Sequence, residues 1–287
     1  MEEPVHPPLT TDPKRVVAAY LVLTFALSSV FWYLIVARPQ WAVDWGILRH
    51  VMFLLMWCPA VAAVATRLAF QRNLDGFGFR IGEIRWWLLA VAIPIACGLV
   101  MFGTGWVTGI APFLPEKATA MLALPVLEGV FFAICSNIIS ATGEELGWRG
   151  LLVPELGRFT DFTQLAVISA VIWFCWHVPV MILGGYSGAG GLLYSLVVFF
   201  LAMFGGSTLM AWIRLRSGSV WPAALLHGVD NYFTQNFFPV LTATTAAGSV
   251  MLGEFGWLTV LVSIVIGLLF WHLRSLLPAM PKPEGGL

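Results

Sequence analysis

The stretch LLYSLVVFFLAMFGGSTLMAWI, residues 192–213, contains no charged residue. As a helix it is long enough to cross the hydrocarbon core of a bilayer, which takes about 20 apolar residues. Reading outward with the same ruler, further spans are expected near 16–37, 46–70, 86–108, 121–146, 164–184, 220–240 and 250–273. The runs at 121–146, 164–184 and 220–240 are weaker, because each carries ionisable residues. The expected fold is therefore all-α, a polytopic transmembrane helical bundle of about eight spans.

Composition points the same way. Of the 287 residues, 59% are hydrophobic and 10% charged, whereas a soluble domain has about a quarter charged residues to face water. The spans consume nearly the whole chain and leave room for one membrane domain, over 16–273. It is flanked by a polar segment, 1–15, and a short tail, 274–287. The first segment contains Pro4, Pro7, Pro8 and Pro13 and has neither the apolar core nor the small-residue cleavage site of a signal peptide. The first apolar run is thus expected to stay as a helix. Formal net charge is zero, which gives no reason to expect nucleic acid as a partner. Cys58, Cys97, Cys135 and Cys175 all lie in apolar runs without a CxxC pair, and are read as small core residues.

Lys and Arg favour cytoplasmic loops. With the N-terminus inside, twelve basic residues fall on the inner side, and only Arg38, Arg49 and Lys117 on the outer. Both termini are expected to be cytoplasmic. The inner loop 71–85, which contains Gly76-Phe77-Gly78-Phe79-Arg80, reads as an interfacial turn.

Ionisable side chains within spans are costly and usually mark function. Here they cluster. Glu144-Glu145-Leu146-Gly147-Trp148-Arg149 ends the fourth run, Trp173-Phe174-Cys175-Trp176-His177 lies in the fifth, and His227-Gly228-Val229-Asp230-Asn231 lies in the seventh. Glu145 and Arg149 are four apart, so they face each other as an ion pair. Glu144 points about 100° away and is free to face the bundle interior as a base. Trp173 lies one turn before His177 and would form an aromatic wall beside the imidazole. His227 and Asn231, again four apart, are placed to hydrogen-bond one point, which suits an oxyanion. Each group alone has a bland alternative: a capped helix end, a structural histidine, or a polar helix contact. Asp230 points elsewhere and receives no role, and Glu128 stands alone.

Together the groups resemble the CPBP family of intramembrane proteases, which includes the CAAX prenyl endoproteases and bacteriocin-immunity proteins of the Abi type. That family's pattern is EExxxR, then FxxxH, then HxxxN; this chain departs from it with Trp173 where Phe is usual. The resemblance implies an intramembrane endopeptidase with its catalytic core at about 121–240. It also implies a membrane-embedded or lipidated, CAAX-like peptide substrate within the lipid bilayer. Glu144 would activate a water with help from His177, His227 and Asn231 would stabilise the oxyanion, and Glu145 with Arg149 would hold Glu144 in place. This chemistry requires no cofactor. The alternative is zinc or another divalent metal on Glu144, His177 and His227, with water as a fourth ligand. No HExxH motif supports it, and serine chemistry lacks its GxSxG elbow. The short loops suggest a multi-pass protein of a bacterial cell membrane. Two other functions fit buried ionisable groups: a proton-coupled transporter, and a non-catalytic immunity or scaffold protein.

Overall fold

The structure is a computed structural model that describes residues 11–37, 45–121 and 123–280. Most of the expected N-terminal polar segment, and Arg38 and Lys282, lie outside the described residues. The helices are α1 (Pro13–Ala37), α2 (Trp45–Gln71), α3 (Ile84–Thr108), the short α4 (Pro115–Ala120), α5 (Leu124–Gly147), α6 (Val153–Leu156), α7 (Phe162–Leu183), α8 (Leu192–Ser217), α9 (Trp221–Tyr232), α10 (Phe238–Val240), α11 (Gly248–Met251) and α12 (Trp257–His272). No strand occurs among the described residues; a single antiparallel bridge joins Phe113 to Thr242.

Seven helical stretches are long and apolar enough to cross a membrane, among the described residues. They answer seven of the expected spans. The remaining one, 220–240, forms as helix but is divided: α9 passes through a π-helical turn, Phe233–Phe237, into α10. It carries His227, Asp230 and Asn231, which lower its hydropathy. A second π turn, Trp148–Leu152, joins α5 to α6 and makes one long rod ending at Leu156. Such turns are often found at functional sites, and these two lie on the helices that carry two of the motif groups. The last expected span starts later than its hydropathy suggests. Gly253, at φ 76°, and Gly256 separate α11 from α12, so the spanning helix begins at Trp257.

Packing follows membrane rules, in which small residues let backbones approach. A Cβ at Gly205 of α8 would run into the Ser263 backbone carbonyl of α12, and one at Gly267 would lie 2.9 Å from the Gly205 Cα. Gly205→Ala is expected to push the two helices apart at a cost of about 1–3 kcal/mol. This would be read as a lower unfolding midpoint of the detergent-purified protein; an unchanged midpoint would mean that the helices are not in such close contact. Of the four cysteines, only Cys58 is buried and Cys175 faces outward. The expectation of four core residues is corrected, because the exterior of a spanning helix is itself an apolar environment.

One end of the bundle is fastened by two arginines, Arg67 buried and Arg158 half-buried, on the buried Glu155. Arg67 Nη1 donates to Glu155 Oε1 at 2.7 Å, and Arg158 Nη1 to Glu155 Oε2 at 2.6 Å. The loop after α2 is strapped onto the α8–α9 junction. Arg214 Nη2 donates to the Gly76 carbonyl at 2.6 Å, Val220 N to the Gly78 carbonyl at 2.9 Å, and Trp221 Nε1 to the Phe79 carbonyl at 2.8 Å. Phe77 is buried in the core. The turn read at 76–80 is thus a fixed strap over the end of α9, the helix that carries His227.

Candidate active site

Glu144 and Glu145 lie in the last turn of α5, where successive side chains diverge by about 100°. They consequently have different partners. Glu145 is fully buried and its Oε1 accepts from Arg149 Nη1 at 2.9 Å, the expected i, i+4 pair. The same oxygen accepts from His227 Nδ1, also at 2.9 Å. Glu144 is 2% exposed, and its Oε2 accepts from Trp173 Nε1 at 2.8 Å and from Trp148 Nε1 at 3.3 Å. No hydrogen bond engages its Oε1 among the described residues.

The two histidines are oriented from behind. A carbonyl and an ionised carboxylate only accept, so the tautomers follow from the partners. His177 donates Nδ1–H to the Trp173 carbonyl at 2.9 Å, and His227 donates Nδ1–H to Glu145. In both rings Nδ1 is the nitrogen engaged by these bonds, which leaves Nε2 outside them. The Trp173 ring lies between them, with its centroid 5.9 Å from that of His177 and 5.3 Å from that of His227. The Arg149 guanidinium lies over the same indole at 4.7 Å.

Glu144, Trp173, His177, His227 and Asn231 all line one cavity of about 1110 Å³. It is bounded by α2, α3, α5, α7, α8, α9 and α12 and extends to Tyr186 and Glu254 in the loops between helices. His177 lies about 22 Å along α7 from Phe162, at 1.5 Å per residue, far from the helix start as its position in the sequence suggested. It reaches the same chamber because the cavity runs along the bundle. The Asn231 side chain makes no hydrogen bond among the described residues. Glu145 and Arg149 lie behind the cavity wall.

Residues 125–233 match the family model described as type II CAAX prenyl endopeptidase Rce1-like. The match bears out the resemblance seen in the motifs, and the matched Rce1-like segment spans all three groups, from Glu144 to Asn231. None of the curated proteins matches the chain.

Several partners of the residues in this site are not evident from the motifs. Trp148 stands at i+4 from Glu144, a spacing that would have predicted its contact. The link from Glu145 to His227 spans 82 residues and leaves no local signal. Arg214 Nε caps the Arg149 carbonyl at 2.8 Å, supporting the π turn where the helical ladder is interrupted. Glu254 lines the far end of the cavity and accepts from Gln235 Nε2 at 3.3 Å. Burial pushes its carboxyl up to about 7, and a hydrogen bond with Tyr186 works against that rise. Asp230, expected from its helix position to point elsewhere, instead lines the same chamber as His227 and Asn231. No three His, Cys, Asp or Glu side chains converge closely enough to hold a metal ion among the described residues. Glu144, His177 and His227 as arranged do not form such a set.

Proposed function

We propose that this chain is an intramembrane endopeptidase that hydrolyses a peptide bond in a membrane-associated, lipidated, CAAX-like substrate, using water activated by Glu144. The observation that carries this reading is the convergence of Glu144, both imidazoles and Asn231 on one chamber large enough for an extended peptide segment. The Rce1-like match over 125–233 supports the same class of reaction.

In this reading a water bound between Glu144 and His177 gives its proton to the free Glu144 oxygen and attacks the scissile carbonyl carbon. The carbonyl π electrons move onto oxygen. His227, when doubly protonated, keeps Nδ1–H on Glu145 and offers Nε2–H to that oxyanion, and the Asn231 amide supplies a second donor. Collapse of the tetrahedral intermediate expels the amine, which takes the proton from Glu144. Glu145 and Arg149 fix the His227 ring and its tautomer.

The twelve-to-three basic asymmetry favours both termini on the cytoplasmic side. The clustering of Arg67, Arg80, Arg158 and Arg214 at one end of the bundle supports that orientation. The test is mass-spectrometric profiling of farnesylated and unmodified peptides incubated with the protein in lipid nanodiscs, beside Glu144→Gln and His227→Ala. Expected is cleavage at one bond near the lipidated residue that both substitutions remove. Proton flux in liposomes without peptide cleavage would instead favour a transporter.

A further inference from the structure

We propose that Trp173 is a positioning residue for Glu144: its indole N–H holds one carboxylate oxygen and so leaves the other as the sole proton acceptor. This rests on Glu144 being the base. The aromatic-wall role expected from sequence requires only a ring, but the structure shows more. Trp173 Nε1 is 2.8 Å from Glu144 Oε2, closer than Trp148 Nε1 at 3.3 Å, and both aim at the same oxygen. The indole is itself immobilised. It is 4% exposed, lies under the Arg149 guanidinium, and meets His227 edge-on. Its backbone carbonyl sets the His177 tautomer. One residue therefore touches the base, the ion pair behind it and both imidazoles.

A carboxylate with two free oxygens can rotate and present either to the water. With Oε2 tied by two N–H donors, rotation breaks both bonds, so Oε1 stays directed at the chamber. Phenylalanine at this position would keep the wall and lose the tether. A base misplaced by about 1 Å costs about a hundredfold in rate.

Trp173→Phe is therefore expected to lower kcat by about ten- to a hundredfold, with KM changed by less than about twofold. A purely structural wall would leave kcat unchanged or move KM instead. Trp148→Phe, removing the longer bond, is expected to lower kcat less. An independent readout needs no turnover. In ¹⁵N-indole spectra of the protein in nanodiscs, the Trp173 resonance, assigned by its loss in Trp173→Phe or in the milder Trp173→Tyr, is expected to shift in Glu144→Gln. The resonance of Trp106, which donates to Thr242 at 2.9 Å, is expected to stay in place. A Trp173 resonance unmoved by Glu144→Gln would overturn the proposal, as would full kcat in a folded Trp173→Phe. If peptide cleavage survives Glu144→Gln, Glu144 is not the base and this proposal fails with that assignment. Cleavage lost in Glu144→Gln but intact in Trp173→Phe removes only the positioning role.

Discussion

Replacing Glu144 by Gln is expected to lower kcat by about a hundred- to ten-thousandfold, the range that a positioned general base contributes. The change is nearly isosteric. The new amide still offers an oxygen to the Trp173 and Trp148 indoles, so packing around this side chain, 2% exposed as the native glutamate, is preserved. What disappears is the site that takes the proton from water. Substrate affinity is expected to change little, so the loss should appear in single-turnover cleavage of a lipidated peptide at saturating enzyme. A residual rate within about tenfold of the unmodified protein would assign the proton transfer to another group, with His177 Nε2 the first to examine.

The second large effect concerns stability. Arg149 and Glu145 are fully buried and joined at 2.9 Å, and Glu145 also holds His227. Arg149→Met removes the cation and leaves the Glu145 charge with only the imidazole. Breaking a buried pair in this way typically costs about 3–5 kcal/mol. The loss should appear as a markedly lower thermal midpoint in detergent, together with lost activity as His227 is released. Arg149 Nε and Nη2 are without hydrogen-bond partners among the described residues, so the pair is costly to bury even in the intact protein. The double change Glu145→Leu with Arg149→Met is accordingly expected to recover much of the stability but none of the activity, because a matched apolar pair can replace a buried ion pair whereas His227 still lacks its acceptor. An unfolding free energy within about 0.5 kcal/mol of the unmodified protein for Arg149→Met, the range of ordinary surface changes, would show that the pair bears no such load.

The sequence made some of this legible for definite reasons. The uncharged run at 192–213 appears as α8, Leu192–Ser217, and the one at 86–108 as α3, Ile84–Thr108, because length and hydropathy alone define a span. The i, i+4 spacing of Glu145 and Arg149 foretold their contact, since both belong to one helical rod. Spacing within a helix could not show that Glu145 is shared with His227 on α9, or that Arg214 caps the π turn, because both contacts join elements distant in the chain. The break of the seventh expected span at Phe233–Phe237 was hidden for another reason. A π turn changes the backbone pattern without any Gly or Pro at its start. The loop at 76–80 read as a simple turn, and its service as a strap depends on Arg214, Val220 and Trp221, distant in the chain, finding its carbonyls.

The most direct measurement is an experimental structure of Glu144→Gln in a nanodisc with an uncleaved lipidated peptide bound. Expected is a scissile carbonyl whose carbon faces the side chain at position 144 and whose oxygen lies within hydrogen-bond reach of His227 and Asn231. A peptide bound elsewhere, with the chamber between α5, α7 and α9 filled by lipid or closed, would contradict the proposed hydrolysis.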